Sequence, residues 1–313
     1  MKKNFFDLNS SGKIFLWVVA LPQILGLLAE MLLMFVCFIF GLSINEVLGI
    51  SYVSIAFAML TQVAILIILL ALRKSFDLKQ ALKFQSKIGT QNSLVCILIG
   101  IVGVASLSPI VGWFSAFLQS VGYVSSSLNL ELASPALLVI AILLFAFVPA
   151  VLEELVFRGC VLQGLKGFGK WAAILGTSAL FVLVHGSLEQ IIYPFILSIF
   201  LCSVVLRTNS VVCAIIVHFV SNTASLILSY FEIAFILPVW AMLLVAVAGI
   251  LVMWLLTKLL KNTEKPRPNQ EVWQAISGPV PEINNNPHSL KVGIFLAVLI
   301  FVFSVVTGFM PQV

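Results

Sequence analysis

The chain reads as a series of long apolar runs separated by short polar breaks. The runs fall at about 14–41, 48–72, 93–118, 135–165, 171–187, 189–206, 210–230, 233–257 and 291–309. Each is close to or above the roughly 20 apolar residues that carry a helix across a bilayer. The pattern therefore predicts an all-α, polytopic transmembrane helix bundle. Nine spanning helices is the expected count and eight the alternative, because the fifth and sixth runs share a tight connection around Gly186. Composition agrees: 61% of the 313 residues are hydrophobic and 9% are charged, against about 25% charged in soluble domains.

The basic residues set an orientation. With the N-terminus placed in the cytoplasm, one side holds Lys2, Lys3, Lys13, Arg73, Lys74, Lys79, Lys83, Lys87, Lys166, Lys170, Arg207, Lys258, Lys261, Lys265, Arg267 and Lys291, which is 16 of the 17. The opposite loops carry Glu46, Glu131, Glu189 and Glu232 and no lysine or arginine. This is the positive-inside asymmetry. It accounts for the net charge of +5 without a nucleic-acid partner. The lipid bilayer is the expected surrounding.

Four regions follow. Residues 1–134 hold the first helices and a basic stretch, 73–90, whose Lys79, Lys83 and Lys87 recur every fourth residue; it reads as an amphipathic surface helix or a solvated loop. Residues 135–257 form the bundle richest in buried polar groups. Residues 258–290 are a polar, proline-broken linker, and 291–313 a last spanning helix. The five cysteines, Cys37, Cys96, Cys160, Cys202 and Cys213, lie in or beside apolar runs without a CxxC pair, so neither disulfides nor a thiolate metal site is expected. The apolar run after Lys2 and Lys3 is too long for a signal-peptide core and reads as a retained first helix.

The candidate chemistry lies in "VLEELVFRG", residues 151–159, where two carboxylates and an arginine follow an apolar run. Ionisable groups at bilayer depth are costly, at least ~2.5 kcal/mol each, and are usually functional. Counted inward from Lys166, Trp171 and Arg207, three such groups fall at similar depth: Glu153 at ~20 Å, His185 at ~21 Å and His218 at ~16 Å, at 1.5 Å per residue. Glu154 and Arg158, four apart, share a helical face and form a supporting pair. Glu153 points about 100° away and is left unpaired. His185 shares a face with Phe181, and His218 with Asn222. In a low-dielectric site Glu153 can take a proton from a water that His185 helps hold, while His218 and Asn222 donate to a developing oxyanion. Alternatively Glu153, His185 and His218 hold a divalent metal such as zinc with its water; no HExxH is present. Taken singly, each group also has a structural reading: a buried ion pair for Glu154 and Arg158, a satisfied core histidine for His185, interhelical contacts for His218 and Asn222. Glu30 is a lone intramembrane acid, and His288 sits in the linker.

These motifs resemble those of one family. "EELVFR" (Glu153, Glu154, Arg158) is similar to its EExxxR motif, "FVLVH" (Phe181, His185) to its FxxxH and "HFVSN" (His218, Asn222) to its HxxxN/D, in the family's order. The family is the CPBP intramembrane proteases, which groups type II CAAX prenyl proteases and bacteriocin-processing (Abi) proteins. The resemblance covers about 135–230. It implies an intramembrane endopeptidase acting on a peptide or protein substrate in or at the membrane, in a bacterial plasma membrane. It implies Glu153 and His185 as water activators, His218 and Asn222 as oxyanion donors, and Glu154, Arg158 and Phe181 as supports. A glutamate mechanism without metal and a metal-dependent one both stay open. Two other classes compete: a proton-coupled membrane transporter, against which stands the lack of an internal repeat, and a non-catalytic immunity or scaffold protein.

Overall fold

The computed structural model describes residues 6–43, 47, 51–75, 88–124, 132, 134–263 and 287–310. These residues form nine long helices and no strand: α1 (Leu8–Phe40), α2 (Ser51–Leu72), α3 (Thr90–Ser120), α4 (Pro135–Phe168), α5 (Lys170–His185), α6 (Ile192–Thr208), α7 (Val211–Tyr230), α8 (Val239–Leu259) and α9 (His288–Gly308). Every expected run is a helix. Seven are long and apolar enough to cross a membrane; α5 and α6 are shorter, with 16 and 17 residues. Most of the basic stretch 73–90 and of the linker 258–290 lies outside the described residues, as do Lys2, Lys3, Glu46, Glu131, Lys265 and Arg267.

Local chemistry sets the helix ends. Asp7 and Ser10 close a reciprocal capping box on α1, with Ser10 N–H donating to Asp7 Oδ1 at 2.7 Å and Asp7 N–H to Ser10 Oγ at 3.1 Å. Ser134 caps α4 just ahead of Pro135, whose missing N–H is harmless in the first turn. Gly186, with φ +64°, ends α5 directly after His185. A left-handed stop of this kind suits glycine, and it fixes His185 at a helix terminus.

In the interior, α4 to α7 pack together. α3 lies against α7 and carries α8 on its other side, while α1 touches α2, α4 and α9. α6 buries Leu197, Leu201, Cys202, Val204 and Val205. This interior place explains its shortness, because its ends need not reach both lipid boundaries. α1, α8 and α9 turn Phe38, Leu244 and Phe303 outward, as helices facing lipid do. Small residues allow the close crossings. A Cβ on Gly249 of α8 would overlap the Ser106 side chain of α3, and one on Gly164 of α4 would overlap Ser11 of α1.

Candidate active site

α4 is the helix on which the polar site is built, and it is not regular. Two turns, Ile142–Phe147 and Phe157–Val161, are π-helical and flank the α-helical Val148–Val156. Such insertions in α-helices are frequent at functional sites. Pro149 falls between them and cannot donate to the carbonyl four residues back, that of Phe145. Asn222 of α7 supplies a donor instead: its Nδ2 lies 3.3 Å from the Phe145 oxygen. A sequence feature of α4 is thereby answered by a motif residue of α7.

Glu154 and Arg158 are both fully buried. Arg158 Nη1 donates to Glu154 Oε1 at 2.7 Å, and Nη2 donates to Ser198 Oγ of α6 at 2.8 Å. The guanidinium lies over the Phe181 ring of α5, 4.5 Å from its centroid. His218 of α7 brings Nδ1 to 2.8 Å from the same Glu154 Oε1. One carboxylate and one guanidinium thus tie four helices. Burying an ion pair is favourable only when geometry and further hydrogen bonds offset desolvation, and these contacts provide most of that compensation. Glu154 Oε2 and Arg158 Nε have no hydrogen-bond partner among the described residues.

Glu153 faces away from this pair, as its position on the helix predicts, into a cavity of about 1070 Å³. Phe181, His185, His218 and Asn222 line the same space. Five of the seven expected residues therefore meet at one cavity, and Glu154 and Arg158 brace it from behind. Phe181 stands between the histidines, with ring centroids 4.6 Å from His185 and 6.1 Å from His218. The cavity continues past Ser225 and Ser229 of α7 to Glu189 and Gln190 in the α5–α6 turn. Those are the helix ends opposite Lys166, Lys170 and Arg207. Glu30 is exposed on α1 and does not line the cavity.

Glu153 does not stand alone, contrary to expectation. Gln62 of α2 donates from Nε2 to Glu153 Oε1 at 2.8 Å. Gln62 and Ser198 were not anticipated from the sequence. For Gln62 a signal was present: it is a single amide within the apolar run "MLTQVAILIILL".

The hydrogen bonds also fix the histidine tautomers. His185 Nδ1 lies 2.8 Å from the Phe181 carbonyl oxygen. A carbonyl only accepts, so Nδ1 carries the hydrogen and Nε2 of the neutral ring keeps a lone pair. The same reasoning at Glu154 Oε1, which also accepts from Arg158, gives His218 a hydrogen on Nδ1. Nε2 of His218 is the ring nitrogen left for the cavity. A ring held at Nδ1 by a carboxylate or carbonyl is the arrangement in which Nε2 ligates metals. Spacing argues the other way: among the described residues no three His, Cys, Asp or Glu side chains come together as a metal-holding group. Glu153, His185 and His218 as placed do not fit a metal cage, and no step below runs through one.

The fold and these polar contacts define an integral membrane helix bundle with a polar cavity inside it. Residues 135–224 match the family model described as type II CAAX prenyl endopeptidase Rce1-like. The match begins at the first residue of α4 and ends two residues past Asn222, so it takes in all three motifs, and over that segment the chain is similar to the Rce1-like family. Neither the curated proteins nor the solved structures returned a match.

Proposed function

We propose that the chain is an intramembrane endopeptidase that hydrolyses a peptide bond of a membrane-associated substrate with a water activated by Glu153 and His185. The observation that carries this reading is the convergence of Glu153, His185, His218 and Asn222, from three helices, on one cavity. The water lies with its two hydrogens toward Glu153 and the lone pair on His185 Nε2. Glu153 takes one proton as the water oxygen bonds to the scissile carbonyl carbon, and the carbonyl electrons move onto its oxygen. Asn222 Nδ2 keeps a second hydrogen beyond the one on Phe145, and donates it to that oxyanion. Glu154 holds His218 at Nδ1 and so sets the orientation of its ring beside the same oxygen. The C–N bond then breaks, and Glu153 returns the proton to the leaving amine.

The substrate follows from surroundings. The cavity joins polar groups to apolar walls from Ile65, Phe157, Val184 and Leu197, which suits a peptide carrying a lipid or an apolar segment. A CAAX-type or bacteriocin-related peptide has that character. The N-terminus is proposed to be cytoplasmic, which puts the Ser229 and Glu189 end of the cavity on the opposite face. The test compares the termini of membrane proteins in cells carrying the wild-type or the Glu153→Ala chain. Termini that appear only with the wild type support the reading; identical sets of termini overturn it.

A further inference from the structure

Gln62 belongs to α2, outside the 135–224 segment that matches the family, yet it makes the hydrogen bond described to the carboxylate proposed as the base. Its side chain is 8% exposed, it lines the cavity, and its Nε2 donates to Glu153 Oε1 at 2.8 Å. Its own Oε1 is buried with no hydrogen-bond partner among the described residues. A half-satisfied buried amide is a poor choice for stability. A buried acceptor without a partner costs about 1–3 kcal/mol, whereas an apolar side chain of the same shape carries no such penalty. Apart from Gln62 itself and the neighbouring Thr61, α2 is apolar from Ala56 to Leu72, with Ile65, Ile68 and Leu69 buried on it. The amide therefore sits where packing alone favours methionine or leucine.

Resting on the protease reading above, we propose that Gln62 is a positioning residue for Glu153. Its N–H holds Oε1 and so leaves Oε2 as the oxygen that takes the proton from water. A carboxylate on a helix retains freedom about its side-chain torsions, and the cavity leaves Glu153 half-buried, with room to turn. Fixing one oxygen from a neighbouring helix restricts it to one face of the cavity. It also makes the catalytic geometry depend on the seating of α2 against α4, two helices in direct contact. The Rce1-like segment would then need the N-terminal helices for its rate as well as for its packing.

The test measures cleavage by the full chain in lipid nanodiscs, together with thermal unfolding. A susceptible peptide is first identified with the wild type. Gln62→Met conserves volume and removes the donor. The expected result is a fall in kcat of roughly ten- to hundredfold, the scale of a small misplacement of a reacting group. KM should stay unchanged and the unfolding temperature should be unchanged or higher. Gln62→Asn keeps the amide but shortens its reach, and should also lose kcat. Wild-type kcat in Gln62→Met overturns the proposal, as does a loss of stability in that variant with full kcat restored by Asn, which marks a polar packing role. Glu153→Ala separates the two layers. If it stays active, the protease reading fails and this inference with it. If it is inactive while Gln62→Met is fully active, only the positioning role fails. Absence of cleavage by the wild type removes both.

Discussion

His218 Nδ1 lies 2.8 Å from Glu154 Oε1, so a fully buried carboxylate on α4 orients an imidazole on α7. The same oxygen accepts from Arg158. Glu154→Gln removes the only charge described next to a fully buried guanidinium. Breaking a buried pair by removing one partner costs about 3–5 kcal/mol, whereas replacing both by apolar groups is often neutral. Thermal unfolding of the detergent-solubilised protein should therefore show a large loss for Glu154→Gln and recovery of much of it in Glu154→Gln with Arg158→Met. An unfolding temperature equal to wild type in the single variant would contradict the ion-pair account.

Glu153 should behave in the opposite way. It is half-buried and opens on the cavity, so its charge does not hold helices together. Glu153→Gln keeps the shape and removes the base. Cleavage should fall by about 10²–10⁴, the usual contribution of a general base, with the unfolding temperature nearly unchanged. Equal losses of stability and activity would move Glu153 into the structural group with Glu154.

The different facing of these adjacent carboxylates was legible in the sequence, because a 100° step separates neighbours on a helix. So were the nine helices and the meeting of Glu153, His185 and His218, which line one cavity. The π-helical turns were not legible: each adds one residue to a turn without changing the apolar character of α4. The place of Gln62 was equally hidden, since residues 91 positions apart along the chain meet through the packing of α2 on α4. The tautomers needed partners as well. Spacing put His218 on the face of Asn222, but only the contact with Glu154 shows which ring nitrogen carries the hydrogen. Gly186 was seen as the tight connection, and its left-handed backbone explains why α5 stops at His185 two residues short of the expected end.

Asn222 has two tasks that a pair of substitutions can separate. Its amide donates to the Phe145 carbonyl, four residues before Pro149, and its second hydrogen is proposed for the oxyanion. Asn222→Leu should lower kcat by about 10²–10³, the loss found for removal of one oxyanion donor, with a smaller loss of stability. Asn222→Leu with Pro149→Ala offers the Phe145 carbonyl an N–H at residue 149 in place of the lost amide, so stability should recover while activity does not. Recovery of both would leave Asn222 with the structural task alone.

Thiol labelling tests where the cavity opens. All five native cysteines are free and buried, so the wild-type chain should give little background. Ser225 and Ser229 are exposed, line the cavity and sit on the last turns of α7, at the end opposite Arg207. A thiol reacts as the thiolate, which forms in water and not in hydrocarbon. Ser225→Cys and Ser229→Cys should therefore react with a membrane-impermeant maleimide added to the face opposite Lys166. Leu244→Cys is the control. Leu244 is 62% exposed on α8 but faces the lipid, and its thiol should stay unlabelled until detergent is added. If the α7 thiols react only when the reagent is on the cytoplasmic side, the proposed orientation is reversed. If Ser225→Cys is as unreactive as Leu244→Cys, the cavity is closed to water at that level, and hydrolysis at Glu153 would need another route for its water.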